Sequence, residues 1–366
     1  MRVCHFSSGA VDTAYFRNIA MGLAERGHTV VLSTLGRHLA PNWVNAAAGV
    51  QYSSLGINRR TLYPLAVARL ALQLRMNRCD VCHAHLFDGG LVGIAAARLA
   101  RIPVGVLGRH HHDHHQMKGR PAHVRVDHLS ARLAHCTVAP SHAVSDHMKT
   151  VEGLESTRIE VIHYGFDYSE IARAASRSAA VRRAHGMESA FIIGFTGRLV
   201  PDKGLAYLLE ATRLLVNEIP GLRLILVGDA GSSWLHSAIR DHDLSERVLL
   251  TGFRRDAPRY MASMDLAVHP SLSDSFPQAL IEAMAVGTPV IATNVGGIPE
   301  IVSHNLTGVL VPPGDASPLA RAILDLYRDP QRRQVLGKAG MKTVRQRFTL
   351  DAMITQQLRL YEALLR

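Results

Sequence analysis

The sequence lacks the features that mark several classes of protein. Aromatic residues make up only 5% of the 366 residues, and no basic stretch is interleaved with the stacking rings that single-strand nucleic-acid binders use. No apolar run reaches the roughly 18 residues of a membrane-spanning helix. The apolar stretch at the N-terminus ends too soon for the hydrophobic region of a signal peptide. These absences predict a globular protein that stays in the cytoplasm and binds no nucleic acid.

Cysteine is also scarce, with four residues in the whole chain. Cys79 and Cys82 are separated by two residues, a spacing that occurs in redox motifs and in half-sites for zinc. No second cysteine pair completes such a site, and the run from Asp80 to His85 has the pattern of a buried strand that leads into a loop. We therefore interpret the pair as structural and predict no metal site here.

The net charge of +11 needs an explanation. Nucleic acid, an anionic membrane surface and phosphorylated small molecules are the three partners that a basic protein attracts. Most of the positive charge comes from dispersed arginines and none of it forms a tail. Nucleic acid is the weakest of the three candidates. A membrane surface and a phosphorylated ligand remain as possible partners, and a basic surface without a specific partner is the alternative.

Short apolar runs alternate with longer amphipathic stretches along the chain, the pattern of parallel sheets covered by helices. Seven strands are predicted in the first half, at 3–6, 30–33, 50–52, 81–84, 104–107, 136–139 and 159–162. Six are predicted in the second half, at 192–196, 223–227, 248–251, 266–269, 289–292 and 308–311. Predicted helices include 14–26, 62–75, 90–100, 124–134, 204–218, 233–242, 277–286 and 318–328. Two doubly wound α/β units follow, residues 1–168 and 169–349, with a final helix at 350–364.

A basic turn follows the first strand of the second unit. The segment from Gly197 to Gly204 leads from that strand into a helix and contains Arg198 and Lys203. Backbone N–H groups and the helix dipole favour an anion at such a junction, which lies on the usual ligand side of an open α/β sheet. The turn is neither a Walker A motif nor a Gly-x-Gly-x-x-Gly fingerprint, so by itself it indicates only a candidate phosphate site.

Two carboxylates eight residues apart give the stronger signal. Asp274 precedes a predicted helix that begins near Phe276 and Pro277, and Glu282 lies about two turns further along. The first N–H groups of a helix have no partner within it, which suits a diphosphate. Glu282 is surrounded in sequence by apolar residues, where a charge is costly unless it is paired. Ribose hydroxyls would be suitable partners, and an exposed helical glutamate is the alternative.

This segment resembles the retaining glycosyltransferases of family four, which have the GT-B fold and a Glu-x7-Glu signature followed by Ala-Met-Ala-x-Gly-x-Pro-Val. The chain has Ala283-Met284-Ala285-Val286-Gly287-Thr288-Pro289-Val290 at that place. Further matching stretches are 26–30, 82–85, 161–167, 197–204, 227–229, 252–253, 296–302 and 307–314. The resemblance spans essentially the whole chain and implies two Rossmann-like domains that face a central cleft, with helix 350–366 packed back on the first.

The resemblance also assigns roles in the second unit. It implies that Arg198 and Lys203 bind the diphosphate of a nucleotide-sugar donor, that Glu282 holds the ribose and that Asp274 faces the transferred sugar. Backbone groups of the segment Ser275, Phe276, Pro277 and Gln278 would line the same pocket. The family has glutamate where this chain has Asp274, and the shorter side chain changes the reach to a sugar hydroxyl.

The first unit supplies the other implied site residues. The loop after the first strand contains Gly9, which would approach the donor diphosphate or serve only as a turn residue. The family places a histidine after the fifth strand beside the reacting sugar, which makes His110 the first candidate and His111 the second. We predict no metal for the dense histidine run, because consecutive imidazoles cannot all face one ion.

The resemblance implies a retaining, hexosyltransferase-type enzyme of cell-envelope polysaccharide or glycolipid synthesis. Its partners would be a nucleotide-sugar donor and a sugar or lipid-linked acceptor, and it would require no metal or other cofactor. A basic enzyme acting on a lipid-linked acceptor would sit at the inner face of the membrane. A non-catalytic nucleotide- or metal-binding module and another GT-B enzyme, such as an epimerase or an inverting transferase, are the alternatives.

Overall fold

The computed structural model describes residues 1–110, 121–176, 178–229 and 233–366. They form two compact units. The N-terminal unit comprises Met1–Phe166 together with Leu350–Arg366, and the C-terminal unit comprises Asp167–Thr349. The sequence placed the boundary between residues 168 and 169, two residues further along the chain. The central cleft implied by the resemblance stays a prediction.

A seven-stranded parallel sheet forms the centre of the N-terminal unit. Its strands are β1 (Arg2–Ser7), β2 (Thr29–Thr34), β3 (Val50–Ser54), β4 (Val81–His85), β5 (Val104–Gly108), β6 (Cys136–Ala139) and β7 (Ile159–Val161). Their order across the sheet is β3-β2-β1-β4-β5-β6-β7. All seven predicted strands are confirmed. The inner strands are buried on both faces, as in a sheet covered by helices on each side, whereas the edge strands β3 and β7 are only partly buried.

Helices cover this sheet on both faces. They are α1 (Ala14–Glu25), α2 (Tyr63–Met76), α3 (Phe87–Ala100), α4 (Pro121–Leu133), α5 (His142–Thr150) and, at the end of the chain, α15 (Leu350–Leu365). The buried side chains of α2 and α3 form one core cluster with β1, which includes Leu70, Leu74 and Phe6. Those of α1 and α15, including Ile19 and Ile354, form another. The last helix therefore belongs to the first unit.

The C-terminal unit repeats the design with six parallel strands. They are β8 (Phe191–Thr196), β9 (Leu222–Val227), β10 (Val248–Leu250), β11 (Leu266–His269), β12 (Val290–Thr293) and β13 (Val309–Val311). Their order is β10-β9-β8-β11-β12-β13, and all six predicted strands are confirmed. The described helices are α6 (Tyr168–Ala175), α7 (Ser178–Ala184), α8 (Leu205–Leu215), α9 (Ser233–Asp241), α10 (Ala257–Met261), α11 (Gln278–Ala285), α12 (Ile298–Ile301), α13 (Ala316–Arg328) and α14 (Pro330–Arg347).

The strand order determines where a ligand can bind. In each sheet the order reverses once, between β1 and β4 and between β8 and β11. Loops at the carboxyl ends of these strands diverge and leave a crevice, the usual ligand site of open α/β sheets. In the N-terminal unit that edge carries Gly9 and Leu86. In the C-terminal unit it carries Arg198 and the segment from Pro270 to Pro277.

Helix α14 spans 18 residues and was not singled out from the sequence, because its apolar residues form only a narrow, irregular stripe among arginines and lysines.

Within the described parts of the chain, no helix combines the length and apolarity needed to cross a membrane.

Candidate functional site

The carboxyl edge of the C-terminal sheet brings three loops into backbone contact. Gly204 has a left-handed φ of +69°, and a Cβ there would lie 1.9 Å from the carbonyl oxygen of Pro270. Gly296 has a φ of +50°, and a Cβ there would lie 1.9 Å from the carbonyl oxygen of Asp274. Only glycine permits both the conformation and the approach. The loops after β8, β11 and β12 therefore pack as one structure, as the spacing of these motifs requires.

Lys203 and Asp274 meet at this junction. The ammonium Nζ of Lys203 donates to Asp274 Oδ2 at 2.6 Å, and His269 Nε2 lies 2.9 Å from the same oxygen. Ser271 Oγ is 3.1 Å from His269 Nε2 and donates to Asp274 Oδ2 at 3.4 Å. The two carboxylate partners are largely buried, with side-chain exposures of 14% for Lys203 and 7% for His269. Asp274 is thus held in position from two sides.

The electrostatics of Asp274 follow from these contacts. Burial alone would raise its pKa, but the hydrogen bond and charge of His269 and the ammonium of Lys203 outweigh it and hold the pKa well below its usual range. A carboxylate beside a cation favours its ionised form. Asp274 is therefore an anion at any physiological pH. It cannot serve as a proton donor.

His269 is a residue that the sequence analysis missed. It is the last residue of β11 and is buried at 5% exposure. Its ring stacks near Phe195 of β8, with centroids 5.5 Å apart. A histidine that ends a predicted strand just before the loop carrying Asp274 was the available signal. It remained unused because an apolar strand with one terminal histidine also fits a purely structural role.

Helix α11 begins at this junction without a capping side chain. Pro277 occupies the N-cap position, and no side chain of the described residues caps the first turn. Proline has neither an N–H nor a side-chain acceptor, so the backbone N–H groups of Gln278 and Ala279 have no cap. Phe276 is buried against Phe348, with ring centroids 5.3 Å apart, and so offers only its backbone. Ser275 and Gln278 are half-buried.

Glu282 lies on the second turn of α11. Its neighbours Leu280, Ile281, Ala283 and Met284 are buried, and burial raises the pKa of the Glu282 carboxyl to about 7. Its side chain is half-buried, and the described residues place no hydrogen-bond donor on it. A carboxylate in this setting is costly for the folded protein, and a ligand that donates hydrogen bonds would offset the cost.

Arg198 follows β8 directly and is exposed. Its backbone is held, since its carbonyl accepts from the N–H of Val200 and the neighbouring Gly197 N–H bonds the carbonyl of Val227. Among the described residues no side chain pairs with its guanidinium. The structure therefore joins Lys203 and Asp274 directly and places Arg198 on the adjoining loop, with its charge open to solvent.

In the N-terminal unit, Gly9 lies in the loop after β1. Its N–H bonds Ser7 Oγ at 3.1 Å, and a Cβ there would meet only the end of the Leu86 side chain, at 3.2 Å. Its φ lies outside the left-handed region. The conformation of Gly9 itself therefore does not demand glycine. Leu86, which follows β4, does carry a left-handed φ of +66°, an uncommon conformation for a leucine that marks this turn.

The ring of His110 is fully engaged within the N-terminal unit. Its Nε2 lies 2.9 Å from His85 Nδ1, and its Nδ1 lies 2.7 Å from the hydroxyl of Tyr164. Burial lowers the pKa of His110 to about 4. A water-sized cavity of about 10 Å³ adjoins His110, Tyr164 and Gln357. With both ring nitrogens bonded, the backbone of His110 is the part left to contact a sugar. His111 lies outside the described residues.

The histidine chain continues into the core. His85 Nε2 bonds His5 Nδ1 at 2.9 Å, and His83 Nδ1 lies 2.7 Å from the Tyr361 hydroxyl of α15. Burial lowers the pKa of His5 to about 3 and places those of His83 and His85 well below their usual value. The sequence showed these histidines only as strand residues. Their meeting depends on the pairing of β1 with β4.

One group in the described residues of this unit has a spacing that a metal ion could bridge. The candidate ligand nitrogens of His5, His83 and His85 lie within 4.8 Å of one another, and neutral imidazole is a common metal ligand. However, His5 Nδ1 and His85 Nε2 already bond each other. Only His5 Nε2 and His83 Nε2 are buried without a described partner. The absence of a metal requirement stays a prediction.

Arg109, the residue before His110, is held in place by two buried ion pairs. It is buried at 4% exposure and donates to Asp127 at 2.6 Å and Glu152 at 2.8 Å. Burial raises the pKa of Asp127 to about 6, against the opposing charge of Arg109. The two terminal nitrogens of the guanidinium are each paired with a carboxylate, and breaking such a buried pair is costly. The contact anchors the end of β5 and thereby the backbone of His110.

Comparison with protein families and known proteins places this geometry in context. Residues 179–343 match the family model described as glycosyl transferases group 1, and residues 13–170 match the one described as glycosyltransferase family 4. Similar proteins include the D-inositol 3-phosphate glycosyltransferase of Kribbella flavida, 30% identical over 81% of this chain and 75% of the relative. Another is the UDP-Gal:α-D-GlcNAc-diphosphoundecaprenol α-1,3-galactosyltransferase of Escherichia coli, 27% identical over 70% and 68%.

Solved structures agree in fold. Anabaena HepE in complex with UDP and glucose has a TM-score of 0.87 and 26% identity, and covers 99% of this chain and 100% of that one. Sucrose-phosphate synthase from Thermosynechococcus elongatus has a TM-score of 0.85 at 22% identity, over 100% and 99%. Two parallel α/β sheets in this order, with these neighbours, constitute the GT-B fold.

Proposed function

Because the chain belongs to the group 1 glycosyl transferases and is a nucleotide-sugar glycosyltransferase of polysaccharide or glycolipid synthesis, we propose that the junction of Lys203, Asp274 and α11 binds the donor. The observation that carries the proposal is Glu282. This half-buried carboxylate has no hydrogen-bond donor among the described residues, and burial raises its pKa to about 7. Vicinal ribose hydroxyls would supply two donors to it.

The donor diphosphate has a matching environment. Arg198 presents an unpaired guanidinium to solvent, and the uncapped N–H groups of α11 lie one turn before Glu282. Helix N-termini and fixed cations stabilise negative charge that develops as a nucleoside diphosphate leaves. These groups can serve that purpose without a metal ion, in line with the predicted lack of a cofactor.

When the donor binds, Lys203 would contact its diphosphate and Asp274 would contact the transferred sugar. In the free protein Lys203 donates to Asp274 at 2.6 Å. The diphosphate competes for the same ammonium, and His269, 2.9 Å from Asp274, keeps the carboxylate in place when the lysine turns away. Asp274 then accepts a hydrogen bond from a hydroxyl of the transferred sugar. The shorter aspartate would hold this position through its hydrogen bond to His269.

The donor is proposed to be a UDP-hexose. Anabaena HepE is described in complex with UDP-glucose, and the Escherichia coli relative uses UDP-Gal. The acceptor is proposed to be a sugar carried on a lipid, as in that relative, with the enzyme held peripherally at a membrane. A cytoplasmic location stays a prediction.

Retention of the anomeric configuration is part of the proposal. The acceptor hydroxyl would attack from the face that the diphosphate leaves, and the leaving phosphate would take its proton. The backbone of His110, rather than its bonded ring, would face the sugar. An NMR time course of the first-formed product anomer tests this, and an inverted product contradicts it.

Donor binding provides the central test. Titration of UDP-glucose and UDP by calorimetry should show binding that Glu282→Ala weakens by at least about tenfold, the loss expected from hydrogen bonds to a charged group. Glu300→Ala, a replacement on the separate helix α12, is the control. Absence of UDP binding by the wild-type protein would contradict the proposed site. Binding without turnover of any donor would instead support a non-catalytic nucleotide-binding module.

A further inference from the structure

Helix α2 of the N-terminal unit exposes an unusual face. Leu65, Leu72 and Met76 are 43%, 60% and 74% exposed. At about 100° per residue they lie within about 40° of one another on the helix surface. The opposite side of the helix buries Leu70 and Leu74 in the core. The outer side of an amphipathic surface helix is normally polar, so these three side chains require an explanation.

The apolar face extends onto neighbouring helices. Arg75 of α2 donates to the carbonyls of Leu99 and Ala100 at the end of α3, and Arg98 of α3 donates to the carbonyl of Leu133 at the end of α4. Leu99 is 56% exposed and Leu133 42%. The helix ends are therefore adjacent. We call the exposed side chains of Leu65, Leu72, Met76, Leu99 and Leu133 the leucine face.

The charge around the leucine face is mainly positive, and Glu155, which lies near Arg132, is paired with Arg158. Arg69, Arg101 and Arg132 are exposed beside it, and no acidic residue occurs from residue 59 to residue 79. The nearby carboxylates are already paired. Asp88 bonds Arg60, and Asp127 bonds the buried Arg109. An apolar strip bordered by unpaired arginines matches the anionic headgroups and acyl chains of a bilayer surface.

We infer that the leucine face docks the N-terminal unit on an anionic phospholipid bilayer. Helix α2 has 14 residues, too few for the roughly 20 that span a bilayer, so it lies in the interface with its outer side chains inserted. Arginine stems add apolar surface while their guanidinium groups meet lipid phosphates. The inference rests on the proposed membrane association and not on sugar transfer.

Vesicle flotation of the full-length protein tests the inference. Vesicles of phosphatidylcholine alone and with about 30 mol% phosphatidylglycerol are compared at about 0.1 M and about 0.5 M salt. Wild-type protein should float with the anionic vesicles and lose most of that binding at the higher salt. The triple variant Leu65→Gln, Leu72→Gln, Met76→Gln should bind at least about tenfold more weakly, because three apolar side chains are no longer available for insertion.

Matched variants separate the two contributions. Arg69→Gln, Arg101→Gln, Arg132→Gln removes three charges from the border and should weaken binding to anionic vesicles by at least about tenfold. Arg321→Gln, Lys338→Gln, Lys342→Gln removes three exposed charges from the C-terminal unit. Leu306→Gln, Val335→Gln removes exposed apolar side chains there, which are 69% and 64% exposed. Both controls should bind as the wild type does.

Three outcomes would overturn the inference. The wild-type protein could ignore anionic vesicles, or the leucine-face triple variant could bind them unchanged. Sedimentation could also show a dimer that this variant abolishes, which would make the face a contact between copies of the chain. UDP-glucose binding of the triple variant is measured in parallel and should be unchanged. Failure of membrane docking is thereby distinguished from failure of the donor site.

Discussion

Lys203 donates to Asp274 at 2.6 Å, so the lysine assigned to the donor diphosphate and the acid assigned to the sugar neutralise each other in the free protein. His269 supports the same carboxylate oxygen at 2.9 Å. Such a pair keeps an otherwise costly buried charge satisfied until ligand arrives. Donor binding then replaces the Asp274 carboxylate by the diphosphate as the partner of Lys203. Asp274 and the diphosphate therefore compete for the same ammonium group.

This competition predicts opposite effects of two substitutions. Lys203→Met should weaken UDP binding by at least about tenfold, because a charge-assisted hydrogen bond is lost. Asp274→Asn should tighten UDP binding by about threefold, because the lysine is released, while kcat for transfer falls by at least about tenfold. Calorimetry and steady-state kinetics provide the measurements. Asp202→Asn, on the adjacent turn, serves as the control, and weaker UDP binding by Asp274→Asn would refute the competition.

Glu282 predicts a pH dependence of donor binding. Burial raises its pKa to about 7, so the carboxylate is protonated below that pH and ionised above it. UDP-glucose, whose diphosphate does not titrate near neutrality, should bind about tenfold more weakly at about pH 6 than at about pH 8. Glu282→Gln should bind weakly at both values. A wild-type affinity that is constant across this range would argue against ribose recognition by the ionised form.

The same residue predicts a cost to stability. A carboxyl whose pKa is raised on folding favours the folded state at low pH and loses that contribution as pH rises toward 7. At about pH 8 the unliganded Glu282→Gln variant should therefore unfold with a free energy about 3 kcal/mol higher than the wild type, because the pKa rises from 4.5 to about 7 on folding. At about pH 4 the difference should vanish. Denaturant unfolding at the two pH values measures it, and a destabilised variant at pH 8 would contradict the prediction.

The buried histidines predict acid sensitivity of the N-terminal unit. The pKa of His5 lies near 3 and that of His110 near 4, and burial also lowers those of His83 and His85. The unfolded chain binds these protons below about pH 6.5, so stability falls as pH falls. From about pH 7.5 to about 5.5 each histidine should remove about 1.4 kcal/mol, or about 5 kcal/mol together.

Denaturant unfolding followed by hydrogen exchange of the N-terminal unit tests this sign and size. His83→Gln keeps a polar side chain beside Tyr361 and should reduce the loss by about one histidine's share. The half-buried His38→Gln, which lies outside this histidine chain, should leave it unchanged. A stability that is flat between the two pH values would show that the imidazoles take up protons in the folded protein as they do in the unfolded chain.

Metal independence is a separate prediction. Arg198, Lys203 and the start of α11 supply the charge that a diphosphate needs, so treatment with a chelator should leave turnover of UDP-glucose within about twofold. Elemental analysis of the purified protein checks the one described nitrogen cluster, formed by His5, His83 and His85. Stoichiometric zinc in the wild-type protein that is absent from the variant His5→Phe would show that the cluster is a metal site.

Much of this architecture could be predicted because its causes are local. The inner strands of both sheets are apolar runs buried on two faces, so burial of Ile192 or Val30 follows from composition and spacing alone. The carboxylates Asp274 and Glu282 could be singled out because a helix start between them must leave N–H groups free. These signals need only a window of about ten residues and the periodicity of a helix or strand.

The remaining features required the chain to fold, because they join residues that are distant in sequence. Lys203 and Asp274 meet although they are 71 positions apart in the sequence, and His85 contacts His5 at a separation of 80. The strand order decides these contacts, and it also decides that the ring of His110 is bonded on both sides. Likewise, the sequence placed the leucines of α2 on one predicted helix, and only the structure shows which of them are exposed. Periodicity identifies which residues share a face, but only packing determines which face is buried.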